Sequence, residues 1–427
     1  MFRHFPFVLA AGLTLTMVTS AMAQSTPTSQ PDPIGRAATA AGFSTSRLER
    51  LTAALERGVE ANEIPGAVMI VQRHGEVVYS SAIGYRNRAE QAPMTPDSRF
   101  ALASMTKPIV SVAAMILVEQ GRLSLSDPVS KYIPEFATLV VGHEVVDPAT
   151  AERRLETEPM VREPTIQDLF RHTSGLTYPP PFGNTLVQQR YGAAGLLNFE
   201  QTNQELVGKL VGLPLAHQPG TTFEYGFSTD VLGRVIEIAS GQTLAAFIAA
   251  EVTGPLGMVD TSFTVPDMGR FASTGGPAPN PAPHWHSGGG GMVGTASDYI
   301  RFAQMLLNGG ELDGVRTLSP HSVALMRANH LPPDVRQGGY DLGASQPSAA
   351  MGQGFGLGFA VRVEEGRNPL PGSVGDYYWA GSLGTYFWID PKEDLVVVLL
   401  TAAPLVRTQY RAIARDLVYQ ALVEPAQ

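Results

Sequence analysis

The sequence predicts an α+β fold: an antiparallel sheet built from both ends of the chain, flanked by the terminal helices, with a mainly helical region inserted between its halves. Three observations lead there. Two apolar runs near the start, Ala67–Val71 and Val77–Ile83, meet at His74-Gly75 and read as a hairpin. Strand-like runs return only late, at Gly356–Val363, Tyr377–Ala380, Thr385–Ile389 and Leu395–Thr401. Between them the apolar residues follow helical spacing, interrupted by Pro and Gly.

Taken in order, Met1–Ala23 opens with Arg3, continues through an apolar stretch from Phe5 to Val18, and ends at Ala21-Met22-Ala23. This is the pattern of a cleaved secretory signal, so an exported protein, periplasmic or secreted, is expected. The apolar stretch is shorter than the roughly 20 residues that span a bilayer, and no membrane anchor is expected after cleavage. Residues 24–40 begin with Ser, Thr, Pro and Gln and are expected to be a disordered lead-in. Ser46 and Glu49 then suggest a capping box before Leu48, Leu51, Leu55 and Val59, the apolar stripe of a first helix.

After the hairpin, Ser104–Gly121 is apolar on most sides, as in a buried helix, with Pro108 tolerated near its first turn. A further helix is expected over Asp230–Ser240, stopped by Gly241, and another over Ala296–Asn308. Ser273–Gly291, rich in Pro and Gly, reads as a long loop whose four closing glycines imply a close backbone approach. A last amphipathic helix carries Tyr410, Ile413, Ala414, Leu417, Val418 and Ala421. The division expected is a sheet part over 41–105 and 292–427 and a mainly helical part over 106–291.

Composition narrows the chemistry. The 427 residues carry a formal net charge of -9 with no basic cluster, which argues against nucleic acid as a partner. The chain has no cysteine, so neither disulfides nor thiolate chemistry is available. The carboxylates and histidines show no metal-ligand spacing, and no metal or cofactor is expected.

Ser104-Met105-Thr106-Lys107 places a lysine one helical turn after a serine, on the same face. A serine hydroxyl is a weak nucleophile until a neighbour takes its proton, and a desolvated amine can do so. The serine would also sit at a helix N-terminus, where unpaired N–H groups and the dipole favour negative charge. Only four lysines occur in the chain, and the pair alone is a weak signal.

Its companions strengthen it. With Asp168-Leu169-Phe170-Arg171-His172-Thr173-Ser174-Gly175-Leu176, Tyr225 followed by Ser228-Thr229-Asp230, Pro255-Leu256-Gly257-Met258, Gly288–Thr295 and Trp379-Ala380-Gly381, the chain resembles the serine β-lactamase-related hydrolases. That group includes class C β-lactamases, D-alanyl-D-alanine peptidases and family VIII carboxylesterases. The resemblance covers nearly everything after residue 40. It implies Ser104 as nucleophile, Lys107 as adjacent base or proton relay, and Tyr225 as the phenol that exchanges protons with serine and leaving group. It further implies an oxyanion hole from the backbone N–H groups of Ser104 and Ser382, with Trp379, Ala380 and Gly381 lining the site. His172 falls in a turn that the resemblance makes structural, and no Gly-x-Ser-x-Gly elbow occurs. His284, Trp285 and His286 precede the glycine run and are candidates only for the cleft rim.

Two departures bear on substrate. Trp379 stands where the group's third motif usually opens with a lysine that holds a substrate carboxylate, and Phe227 stands where lactamases place an asparagine against the acylamino group. Both shift the expectation toward short-acyl, neutral esters as the small-molecule substrate, with Phe227 and Trp379 contacting it. β-Lactamase or D-alanyl peptidase activity is the alternative within the enzymes. A penicillin-recognising protein that acylates without turning over is the alternative outside them.

Overall fold

The hairpin joined at His74-Gly75 forms as a strand β1 (Gly66–Arg73) and a strand β2 (Glu76–Asn87). His74 and Gly75 both take positive φ, 53° and 77°, the pair of left-handed residues that a tight hairpin turn demands. A computed structural model describes residues 33–276, 279–340, 342 and 347–424. The expected signal at 1–23 and residues 24–32 of the lead-in lie outside the described residues.

From the other end of the chain come β4 (Gln353–Phe355), β5 (Ala360–Arg362), β6 (Tyr377–Ala380), β7 (Tyr386–Asp390) and β8 (Leu395–Thr401), and a short β3 (Ala92–Pro93) edges β2. The eight strands order as β4-β5-β6-β7-β8-β1-β2-β3, all antiparallel. The seam between the two ends is β1 against β8, in register from Ala67 opposite Thr401 to Arg73 opposite Leu395. Every residue of β8 is buried, as a near-continuous Val/Leu run requires of a strand covered on both faces.

The alternation of β7 shows what covers each face. Tyr386 and Trp388 turn toward the last helix, α6 (Arg407–Ala421), whose Arg415 guanidinium lies 5.4 Å from the Trp388 ring. Phe387 turns the other way, 4.9 Å from Tyr299 of α5 (Ala296–Leu307). Helix α2 (Thr45–Glu60) packs with α6, while α3 (Thr106–Glu119) and α4 (Ser228–Ser240) pack together within the inserted region. Sheet and insert form one compact unit from Pro33 onward.

Several expectations are corrected. Residues 33–40, expected within the lead-in, form a helix α1 (Pro33–Ala40) because Ala38 and the following Ala41 and Phe43 bury against the sheet. The capping box at Ser46 and Glu49 does not form; α2 starts two residues earlier, with Ser44 in the cap position and no side-chain cap bond. The strand expected over Gly356–Val363 forms only over Ala360–Arg362; residues 356–359 make the turn from β4, where Gly358 has a φ of 100° and a missing Cβ that would fall 2.3 Å from Ser111 Oγ. The insert also holds an unforeseen hairpin, Val140–Val146 with Arg153–Pro159. Its second strand is almost wholly exposed, so it lacks the apolar face that strand periodicity relies on.

Candidate active site

Ser104 lies in a one-turn 3₁₀ segment, Ala103–Met105, that runs directly into α3. Ala103 before it takes a positive φ of 46°, a strained conformation for a residue with a Cβ. The surroundings hold that strain in place. The N–H of Leu102 donates to Met292 O, the Met292 N–H donates to Thr106 Oγ1, and the hydroxyls of Thr385 and Tyr299 donate to the carbonyls of Leu102 and Met105. The segment is thus tied to the glycine run, α5 and the turn after β6.

Lys107, one turn on, is 1% exposed. Its ammonium donates to Gly289 O at 2.7 Å, to Tyr178 Oη at 3.2 Å and to Ser104 Oγ at 3.3 Å, and it stands 4.5 Å from the centre of the Tyr225 ring. No carboxylate pairs with it among the described residues, so burial lowers its pKa from 10.5 to about 7, with Asp230 pulling weakly the other way. An amine with that pKa is partly neutral at neutral pH and can accept the serine proton.

The Tyr225 hydroxyl is buried and has no hydrogen-bond partner. Burial raises its pKa; Ser104 and the Trp379 indole approach closely enough to oppose that shift, though without reaching hydrogen-bond geometry. The phenol is therefore protonated here, poised as a donor. Its ring packs on His172 at 4.7 Å, Tyr340 at 5.4 Å and Trp379 at 5.5 Å between centroids. His172 is buried and neutral, its pKa lowered by burial and then by Lys107, and it serves as a packing surface.

The glycine run makes the close approach its composition implied. The N–H of Gly289 donates to Asp230 Oδ1 at 3.0 Å while its carbonyl receives Lys107, so the two peptide units that flank one residue bridge the α4 carboxylate and the α3 ammonium. A Cβ on Gly289 would lie 2.3 Å from Asp230 Oδ2. Ser287 Oγ also donates to Asp230, at 2.5 Å.

Of the third motif, Trp379 is buried and packs on Tyr225 and Phe355, while Ala380 is part-exposed at the end of β6. Gly381 faces the serine segment so closely that a Cβ would stand 2.3 Å from Leu102 O. Ser382 is exposed in the turn that follows. Phe227, expected to contact substrate, is instead wholly buried behind the site, its ring 4.8 Å from Tyr178 and 6.4 Å from Tyr191. The residue at this position shapes the wall through Tyr178 because the backbone at the start of α4 turns its side chain inward. At the rim, Trp285 is buried with its indole donating to Asn203, and His284 is exposed.

Sequence reasoning missed Tyr178 and gave Asp230 no role. Tyr178 closes the segment that starts at His172, but nothing local distinguishes it among 13 tyrosines. An acidic residue opening an apolar helix, as Asp230 does, could have signalled a buried carboxylate with backbone partners.

A serine backed by a desolvated lysine and an unpaired phenol, at a helix start beside an antiparallel sheet, defines a serine acyl-transfer scaffold. A profile of the Beta-lactamase family matches residues 51–420, and the chain belongs to that family. It is 36% identical to Protein Rv1367c of Mycobacterium tuberculosis over 366 residues, 82% of this chain and 88% of that one. It is 32% identical to Esterase EstB of Burkholderia gladioli over 382 residues, 82% of this chain and 89% of that one. Among solved structures, EstCE1, described as a hydrolase with promiscuous acyltransferase activity, superposes with a TM-score of 0.71 at 27% identity, covering 88% of this chain and 98% of that one.

Proposed function

We propose that the protein is an exported serine carboxylesterase acting on short-acyl, neutral esters through an acyl-enzyme on Ser104. The convergence of Lys107 Nζ on Ser104 Oγ at 3.3 Å inside an aromatic, charge-poor wall carries the reading. Neutral Lys107 takes the hydroxyl proton as Ser104 Oγ attacks the ester carbonyl carbon. The oxyanion is held by the N–H groups of Ser104 and Ser382. The C–O bond to the alcohol breaks as Tyr225, reprotonated from Lys107, delivers the proton to the leaving oxygen. Water then attacks the acyl carbon and gives a proton to the same pair; the bond to Ser104 Oγ breaks as the pair returns that proton to Oγ, releasing the acid and restoring the hydroxyl.

Trp379 in place of a cation supports an ester over a β-lactam or peptide carboxylate, and the name of EstB supports the same class. Export rests on the pattern of residues 1–23. An alcohol could replace water as acceptor, a reading favoured by the aromatic rim of Tyr178, Phe182 and Tyr340 around the lysine and by the description of EstCE1. A panel of nitrophenyl esters, a cephalosporin and a D-alanyl dipeptide, with intact-mass detection of the adduct, tests the reaction class, the nucleophile and turnover. Cephalosporin turnover exceeding that of every ester would reverse the assignment, and a stable adduct without product release would make the protein a binder.

A further inference from the structure

Arg411 has no part in the chemistry above, yet it reaches the active-site strand. It projects from α6, on the sheet face opposite Phe387, and donates through Nη2 to the carbonyls of Gly381 and, at 3.2 Å, Thr385. The Tyr386 ring lies 5.9 Å away, and Nε is buried without a partner. No carboxylate pairs with it among the described residues. Burial lowers its pKa to about 10, which still leaves it a cation at neutral pH. A largely buried guanidinium without a counter-ion is a costly group to retain, and its hydrogen bonds go to a single turn.

That turn carries the donor the reaction needs. The Gly381–Ser382 peptide is planar and trans, so its C=O and N–H point to opposite sides. A guanidinium that grips the Gly381 carbonyl from the α6 side sends the Ser382 N–H toward the other side, where Leu102 and Ala103 lie against Gly381. The Gly381 N–H donates to Thr385 O at 2.9 Å and the Thr385 hydroxyl to Leu102 O at 3.0 Å, so the clamp connects directly to the serine segment. A positive charge on the carbonyl also polarises the peptide and makes its N–H a stronger donor.

We propose that Arg411 is a positioning residue that sets the Gly381–Ser382 peptide for oxyanion binding, an inference that rests on the esterase reading for its role in turnover. The test measures phosphonylation of Ser104 by a fluorophosphonate probe, followed by intact mass, beside hydrolysis of nitrophenyl acetate and the nitrophenyl monoester of succinate. Arg411→Met and Arg411→Lys are compared with the unaltered full chain. Losing one oxyanion donor costs about 100- to 1,000-fold, so loosening one should lower kcat and the phosphonylation rate by about 10- to 100-fold. KM should stay within about threefold on both esters, Arg411→Lys should recover part of the loss, and the unfolding midpoint should not fall. Rates within twofold of the unaltered chain in Arg411→Met would overturn the proposal. So would a loss confined to KM for the succinate ester, which would make Arg411 a receptor for a substrate carboxylate, or a loss that tracks unfolding and is not recovered by lysine. Because the probe reports on Ser104 whether or not esters turn over, ester inactivity with rapid phosphonylation would sink the esterase reading while leaving the Arg411 comparison readable.

Discussion

The shortest hydrogen bond made by the Lys107 ammonium, 2.7 Å, goes to the carbonyl of Gly289 and not to the hydroxyl of Ser104, 3.3 Å away. The lysine is held by a backbone acceptor that cannot take its proton. It is thereby fixed in place while its acid–base equilibrium stays available to the serine.

That equilibrium sets a pH dependence. With a pKa lowered by burial to about 7, Lys107 becomes a base as pH rises through neutrality. The acylation rate on a nitrophenyl ester should fall about tenfold per pH unit below 6 and level off above 8. A stopped-flow profile flat from pH 5.5 to 8.5 would contradict it.

The same shift appears in stability. Below pH 7 the folded chain must keep a buried ammonium, whereas between 7 and 10.5 the unfolded chain holds a proton that the folded one has lost. Stability from this group therefore rises with pH across that window, by about 1.4 kcal/mol per unit at most. Lys107→Met should be inactive yet more stable than the unaltered chain at pH 6, by a few kcal/mol in urea unfolding.

Ser104→Ala should leave the unfolding midpoint within about 2 °C while lowering ester turnover by at least about 1,000-fold. Tyr225→Phe should cost about 100-fold or more, and Tyr178→Phe less. The difference is expected because the Tyr225 hydroxyl is the unpaired one nearest Ser104, whereas Tyr178 only accepts from Lys107. Residual Ser104→Ala activity within tenfold would remove the nucleophile assignment.

Gly289→Ala places a methyl 2.3 Å from the Asp230 carboxylate and must displace the peptide that holds Lys107. A loss of about 1–3 kcal/mol in stability is expected, with activity falling further than that loss explains. Equal kinetics in the two proteins would show that the bridge is dispensable.

Far from the site, Asp376 Oδ2 receives Arg362 Nε at 3.0 Å and Arg415 Nη2, all three side chains nearly or fully buried. Asp376→Ala would leave two buried guanidiniums without their shared anion. Destabilisation of about 3–5 kcal/mol is expected from chemical denaturation.

Much of this molecule is written in local pattern. Alternating and continuous apolar runs marked six of the eight strands, because a buried strand needs those side chains whatever lies beside it. Ser104, Lys107, Tyr225 and the third motif stood out because their order in the chain is distinctive. Phe227 was misplaced and Tyr178 overlooked for one shared reason: which way a side chain turns at the start of α4, or after the His172 turn, depends on packing against distant segments. The short edge β3 and the mostly exposed hairpin at 140–159 went unseen because β3 spans only two residues and the hairpin buries only Val141 and Gly142, too little to impose a periodicity.

The sequence by itself determined most of the sheet and the family, and it singled out Ser104 with its companions as candidates, since propensity, burial pattern and motif order are properties of the chain alone. Only the tertiary structure decided that Lys107 titrates near neutrality, that Gly289 rather than Ser104 takes its strongest bond, and that Arg411 grips the Gly381 carbonyl. Desolvation and long-range hydrogen bonds produce these properties, and both exist only once segments separated by some 30 to 180 residues have closed around one another.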